Sequence, residues 1–246
     1  MTKNLNAGQA TFVPAYSTDT RPPPEHANDS ECVAVCASTG KLYLCKKNSH
    51  PYLAASEWIC AHFARACGLP MPNFAAVKIA GRSDFLFGSE WVYGGLGYAV
   101  ALPSVQNGEI FSTALALDYG ICNTDRHLEN YLYLENKDGV YAEIIDFSRA
   151  LLVAGWPLPE LPMDDMDATV ESIAAWKAHH PFVIESANKV ISHWMSLPPE
   201  YLEPVLDSMA PGWLDASMKQ RLLEWWVGPG RVSRARDAAY QLKYIK

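Results

Sequence analysis

The chain has 246 residues, 49% hydrophobic and 19% charged, and carries a formal charge of −7 from 20 basic and 27 acidic side chains. That length holds one sizeable domain or two compact lobes, and the apolar fraction excludes a disordered chain. The acidic balance argues against a broad electrostatic grip on nucleic acid or on an anionic membrane, so direct contact with neither is expected.

No stretch approaches the ~20 apolar residues of a membrane-spanning helix. The opening Met1-Thr2-Lys3-Asn4-Leu5-Asn6 lacks the apolar run of a secretory signal. Cys32, Cys36, Cys45, Cys60, Cys67 and Cys122 form neither a C-x-x-C pair nor a Cys/His cluster with zinc spacing. They read as reduced, small buried hydrophobes of a cytoplasmic protein.

In chain order, residues 1–30 are polar and proline-rich, with Pro22, Pro23 and Pro24 in a row. Thr11 to Tyr16 alone is strand-prone there, and the segment reads as a partly flexible arm without a core of its own. Glu31 to Ala37 and Lys41 to Lys46 are strand-forming runs around the turn Ser38-Thr39-Gly40, a hairpin signal. From Leu53 to Cys67, Trp58, Ile59, His62, Phe63 and Ala66 recur at helical steps, with Gly68 to cap the helix and Pro70 to end it. Asn73 to Ile79 and Phe85 to Tyr93 read as further strands, broken at Gly81-Arg82-Ser83, and Gly94-Gly95-Leu96-Gly97 marks a boundary.

Beyond that boundary the character changes. Ile110 to Tyr119 reads as a helix, and Tyr131 to Leu134 with Tyr141 to Ile145 as a hairpin around Asn136-Lys137-Asp138-Gly139. Residues 151–167 are acidic and punctuated by proline. Helices follow over 169–179, 182–195, 200–209 and 214–226, with a last one after Gly230. The expected class is α+β in two lobes: residues 31–100 β-rich with one helix, and 101–246 larger and mostly helical. The seam falls near 94–104, and a cleft between lobes is a favoured ligand site.

One segment carries chemistry. Asn123-Thr124-Asp125-Arg126-His127-Leu128-Glu129-Asn130 is followed, after the hairpin, by Ile144-Ile145-Asp146-Phe147-Ser148. The order D-x-x-x-x-N, hairpin, apolar-apolar-D-F is the spacing that phosphoryl transfer by a kinase requires. Asp125 can accept the proton of an attacking hydroxyl beside the γ-phosphate. The amide oxygen of Asn130 and the carboxylate of Asp146 are hard ligands for magnesium. A lone Asp or Asn is more often a turn or cap residue; the conjunction, in order and at spacing, points to function. Upstream, Lys46 ends a strand and Glu57 lies on the next helix, as a phosphate-binding lysine and its partner would. Taken singly they read as a strand-end charge and a solvated helix residue. The backbone N–H groups of Ser38, Thr39 and Gly40 suit either a phosphate or a plain hairpin turn. Glu90, Trp91 and Val92, just before the glycine-rich seam, are candidates to contact adenine through their backbone.

With these residues in place the sequence resembles the HipA-like kinases, the short single-domain members more than the longer toxin kinases, from residue 31 to the C-terminus. The strongest shared motif is Asp118-x4-Asn123-Thr124-Asp125-Arg126-His127-x2-Asn130 followed by Ile145-Asp146. Tyr43-x2-Lys46, Ala55-Ser56-Glu57, Gly68-Leu69-Pro70-Met71-Pro72 and Phe87-Gly88-Ser89 support it. The D-R-H-x-x-N string is similar also to the phosphatidylinositol-kinase-like branch. The resemblance implies a bilobal kinase fold, ATP and magnesium, with Asp125 as catalytic base, Asn130 and Asp146 as metal ligands and Lys46 on the phosphates. It implies a protein Ser or Thr as acceptor, with Ser38 and Thr39 as local candidates for self-phosphorylation; a lipid or small-molecule acceptor stays open. It gives His127 a role in bracing the catalytic loop or assisting proton transfer, while Arg126 packs or pairs with a neighbouring carboxylate. Two departures stand out: Glu129 replaces a usual glycine, and Phe147-Ser148-Arg149 stands where many short members have His-Gly-His. They keep a nucleotide-binding pseudokinase in view as the rival. His179-His180 reads as a helix end, and Asp164, Asp165 and Asp167 as a solvated loop or helix start.

Overall fold

Strand-forming runs with one helix dominate up to about residue 90 and helix-forming runs, broken by a small hairpin, dominate after it, and the computed structural model has this order. It describes residues 14–25, 27, 29–36, 39–161 and 167–245. Strands β1 (Ala15–Ser17), β2 (Asp19–Arg21), β3 (Ser30–Cys36) and β4 (Lys41–Lys46) come first, then helix α1 (Leu53–Ala66) and strands β5 (Phe74–Ile79) and β6 (Phe85–Glu90). Among the described residues these strands form one sheet in the order β1-β5-β6-β4-β3-β2. The expected β3–β4 hairpin is present, pairing Cys36 with Lys41 at its turn and Ser30 with Lys46 at its open end.

The two edge strands, β1 and β2, are consecutive in the chain, separated by Thr18 alone. The sheet therefore curls until its edges approach. The Ser17 hydroxyl lies 2.8 Å from the Val35 carbonyl oxygen and 2.6 Å from that of Asp19, tying the corner to β3. Inside the curl sit Ala34, Cys32, Cys36, Cys45, Val77 and Leu86, mostly small enough for a tight interior. The expected coreless arm is corrected here: residues 15–21 contribute two strands, and Ala15 and Ser17 are buried. Thr11 to Val13 of the expected strand lie outside the described residues. At Gly88 on β6 a Cβ would stand 2.6 Å from Val77 Cγ2 and 3.0 Å from Tyr43 Cβ, so only glycine fits between its neighbours.

The opposite face of the sheet packs on α1. Trp58 meets Phe74 edge-on with centroids 5.2 Å apart, and His62 meets the same ring at 5.2 Å. His62 is half-buried among these rings, and its buried Nε2 has no hydrogen-bond partner among the described residues. Burial, with help from nearby Arg65, pushes its pKa down to about 4. A folded-state value below the unfolded one gives stability that is complete above about pH 6.5 and is lost as pH falls toward 4. Wild-type protein is expected to lose about 2–3 kcal/mol over that window through this group. In urea titrations at pH 7 and pH 4.5, His62→Phe should remove most of the difference, and an unchanged difference would refute the assignment.

The second part of the chain begins with β7 (Gly95–Leu96), α2 (Tyr98–Ala101) and α3 (Glu109–Ile121), then the hairpin β8 (Tyr131–Asn136) and β9 (Gly139–Ile144). β7 pairs with β8 to complete a small antiparallel sheet. The expected turn residues close the hairpin: Asn136 Oδ1 accepts from the Asp138 N–H at 2.8 Å, and Gly139 takes φ 128°. Helices α4 (Asp167–Lys177), α5 (Ile184–Ser196), α6 (Leu202–Asp207), α7 (Ala216–Val227) and α8 (Pro229–Leu242) follow. The expected break at Gly230 falls two residues earlier, at Gly228, because Pro229 suits the first helical position.

Tryptophans knit the helical part together. Phe63 of α1 stacks on Trp226 of α7 at 5.1 Å, and Phe111 of α3 stacks on Trp176 of α4 at 5.6 Å. One apolar core thus runs from the α1 face of the sheet through α3, α5 and α8. No helix among the described residues is long and apolar enough to cross a membrane.

Candidate active site

Helix α3 ends at Cys122, which turns left-handed at φ 55° and sends the chain into the loop 123–130. Asp118, on the last turn of α3, is fully buried and organises that loop. It accepts from Asn123 Nδ2 at 2.9 Å and, side-on, from Arg126 Nε at 2.9 Å and Nη2 at 3.0 Å. Arg126 spends its remaining nitrogen on backbone: Nη1 donates to the Asn130 carbonyl at 3.1 Å and to that of Ile145. Its guanidinium also lies over the Phe147 ring, 5.1 Å from the centroid. Burial opposes its charge, but Asp118 outweighs burial and raises its pKa. A two-point, planar contact of this kind is what arginine supplies and lysine does not. Of the two roles expected for Arg126 the structure gives both, with Asp118 as the carboxylate.

This hub fixes three residues of interest relative to one another. Asp125 is half-buried on the loop. Its carbonyl accepts from Asn130 Nδ2 at 2.6 Å and from the His127 N–H at 3.1 Å. The bond from Nδ2 orients the Asn130 amide and directs its oxygen away from the Asp125 carbonyl. Thr169 on α4 braces the loop from outside, its hydroxyl accepting from the Arg126 N–H and donating to the Thr124 carbonyl, both at 3.1 Å. Burial pushes the Asp125 pKa up, with His127 opposing. Glu129 is exposed on the short turn 128–130, so its charge faces solvent.

Asp146 lies two residues past the end of β9, held beside Asn130 by the Ile145 N–H donating to the Asn130 carbonyl at 3.1 Å. It adopts φ 64°, a conformation that Asp tolerates better than most residues. One carboxylate oxygen accepts from the Ser148 N–H at 2.9 Å, the other from Lys46 Nζ at 2.5 Å. Burial alone would raise its pKa, but Lys46 and Ser148 hold it well below the carboxylate range. Lys46 is nearly buried at the end of β4, with Glu57 Oε1 at 3.8 Å. Burial disfavours its charge too, and the two carboxylates outweigh that. Glu57 is the more distant partner and is almost wholly buried, and burial pushes its pKa up to about 8. The structure thus brings together Lys46, Glu57, Asp125, Asn130 and Asp146.

It does not bring Thr39 and Gly40 to them. In an antiparallel hairpin the turn and the far end of the second strand lie apart, and Lys46 is separated from the turn by the length of β4, roughly 17–20 Å. The Thr39 and Gly40 N–H groups are spent on the Cys36 carbonyl at 3.2 and 2.9 Å. Ser38 lies outside the described residues. The segment beside Lys46 is instead the β2–β3 connection: the Lys47 N–H donates to the Asp29 carbonyl at 2.9 Å. The Asp29 carboxylate adds to the forces that raise the pKa of both Lys46 and Asp125.

Glu90, Trp91 and Val92 lie at the end of β6, level with the start of β4. The Glu90 N–H donates to the Asn73 carbonyl at 2.6 Å and the Trp91 N–H to that of Leu42 at 2.8 Å. The Glu90 carboxylate accepts from Lys41 Nζ at 2.7 Å and Asn73 Nδ2 at 2.9 Å. Asp164 and Asp165 are outside the described residues, and Asp167 opens α4. His180 sits 2.7 Å from the Leu102 carbonyl and stacks on Phe111, joining the end of α4 to the chain after α2.

No protein-family model matches the chain, and no curated protein matches its sequence. Solved structures do. The Helicobacter pylori proinflammatory kinase CtkA aligns over 96% of this chain and 99% of its own, at 10% identity and a TM-score of 0.61. A chain of the Shewanella oneidensis MR-1 toxin–antitoxin complex of HipA, HipB and operator DNA aligns over 88% of this chain and 61% of its own. Its identity is 15% and its TM-score 0.49. The likeness to CtkA gives the fold: a mixed α+β kinase fold, in keeping with the resemblance carried by the motif from Asp118 to Asn130.

Proposed function

We propose that this protein is an ATP- and magnesium-dependent phosphotransferase that passes the γ-phosphate to a serine or threonine hydroxyl of a protein, itself included. One observation carries the reading. Lys46 Nζ reaches Asp146 Oδ2 at 2.5 Å across one hundred residues of sequence, with Asp125 and Asn130 held beside Asp146 by Arg126. In this reading residues 31–100, joined by β1 and β2, form the smaller lobe and residues 101–246 the larger, with the nucleotide between them. The cysteines are all free, which suits a cytoplasmic setting.

The donor set fits magnesium: a carboxylate, Asp146, and an amide oxygen, Asn130, are hard oxygen ligands. Magnesium supplies charge neutralisation to the phosphates when bound. Lys46 gives its charge to phosphate oxygen, and Glu57 steadies it from the α1 side. Asp125, with its pKa raised by burial, accepts the proton of the incoming hydroxyl. His127 braces the loop through its backbone bond to Asp125. Arg126 sets the separation of Asp125, Asn130 and Asp146, which is the positioning that this chemistry depends on. The Asp29 carboxylate, close to Lys46 and Asp125, borders the path of the acceptor.

A nucleotide-binding module without transfer is the second reading, favoured by the placement of Thr39 and Gly40 far from Lys46. Purified protein incubated with magnesium and γ-labelled ATP separates the two. Label on the protein, or on proteins of an added lysate, in wild type and not in Asp125→Ala supports transfer. Calorimetric binding of Mg-ATP without label on any acceptor supports the module, and no binding at all refutes both.

A further inference from the structure

Cys32 on β3 and Cys45 on β4 are direct cross-strand partners, and both face the interior of the curled sheet. Residues directly opposed on antiparallel strands have Cα atoms about 4.5–5.5 Å apart, inside the range a disulfide spans. The strand register shifts between Ser30 and Cys32, so the ladder is interrupted immediately beside this pair. Cys32 also lines a shallow groove of about 360 Å³ at the mouth of the sheet, together with Arg21, Glu31 and Arg82. Arg82 Nη1 pairs with Glu31 at 2.9 Å, holding a guanidinium over that groove.

We propose that Cys32 and Cys45 form a dithiol oxidation site, in which Cys32 reacts with hydrogen peroxide entering the groove and Cys45 resolves it to an intramolecular disulfide. With both thiols neutral, Cys45 points at the Tyr43 carbonyl oxygen, 3.6 Å away. With Cys32 ionised, Cys45 donates to its sulfur, and this bond outweighs burial and the Glu31 charge, with Arg82 a smaller help, so the Cys32 pKa is lowered. The Cys32 thiolate attacks the peroxide, the O–O bond breaks, and the departing hydroxide takes a proton to become water. Sulfur is left as sulfenic acid. Cys45 then attacks that sulfur: the S–S bond forms, the S–O bond breaks, and a second water leaves with the Cys45 proton. Two thiols lose two electrons in total, and one peroxide becomes two waters. The other cysteines lack this arrangement. Cys36 stands opposite Lys41, and Cys60 is fully buried with its pKa raised by burial. The bridge would fix the backbone at the residue before Lys46.

The test uses the full chain and no nucleotide, so its outcome is separate from the phosphotransferase reading. Protein is treated with hydrogen peroxide at a few equivalents, alkylated with N-ethylmaleimide, digested and mapped by mass spectrometry. The expected product is a linked Cys32–Cys45 peptide pair lighter by two hydrogens, with Cys36, Cys60, Cys67 and Cys122 alkylated. Dithiothreitol should restore both thiols. In Cys45→Ser, dimedone should trap sulfenic acid on Cys32. Full alkylation of Cys32 and Cys45 after peroxide, or a bridge between any other pair, would overturn the proposal. So would absence of the dimedone adduct.

Discussion

Arg126→Ala is expected to lower stability by about 3–5 kcal/mol, the usual consequence of removing one partner of a buried ion pair. The size follows from what the substitution strands. Asp118 is fully buried and would keep only the Asn123 amide at its carboxylate, while the carbonyls of Asn130 and Ile145 would lose a charged donor. Arg126→Lys should recover only a fraction, because an ammonium cannot meet both Asp118 oxygens and two carbonyls from one position. Urea unfolding followed by tryptophan fluorescence reads the effect as a lower midpoint at unchanged slope. A midpoint within error of wild type for both variants would show that the pair is not the organising contact of the loop. If Arg126→Ala fails to fold, Arg126→Lys still gives the measurement.

Asp146→Asn is expected to reduce phosphate transfer on the order of 10³-fold or more while leaving a folded protein. Asparagine keeps the side-chain shape and tolerates the left-handed backbone at φ 64°, so the loss is one of charge rather than conformation. Lys46 does not become an orphan in this variant. The Asp146 charge is one of the forces raising the Glu57 pKa, and with that charge gone Glu57 ionises more readily and takes up the lysine. Thermal midpoints should therefore move little compared with the loss of labelled product from γ-labelled ATP. Retained transfer in a folded Asp146→Asn protein would remove Asp146 from the site.

Much of the candidate site's proximity was legible because its residues are bound by local spacing. Asp125 and Asn130 sit on one short loop, Asp146 follows a tight hairpin, and Lys46 and Glu57 flank a single strand-to-helix connection. Spacing along the chain is enough to place such residues once the chemistry is recognised. The candidate phosphate contacts Thr39 and Gly40 lie away from Lys46 for the complementary reason. Thr39 and Gly40 have the composition of a turn, which is local information, but their distance from Lys46 depends on strand direction, and an antiparallel hairpin puts them at opposite ends. Asp29 enters through the same register. Thr169 braces the loop from more than forty residues away, with no sequence pattern linking it to Asp125. β1 and β2 are three residues each, too short for the period-two alternation by which strands are recognised.

The curled sheet has a consequence for solubility. An exposed strand edge presents unpaired amide and carbonyl groups that can recruit another chain, and natural proteins blunt such edges by keeping them short. Here the two outermost strands are the three-residue β1 and β2, drawn together by the single residue Thr18 and the Ser17 hydroxyl. The longer, more apolar strands β3 to β6 are all paired on both sides. Deleting the residues before Ser30 would expose β3, whose sequence Ser-Glu-Cys-Val-Ala-Val-Cys is β-prone and low in charge, as a seven-residue template for edge-to-edge association.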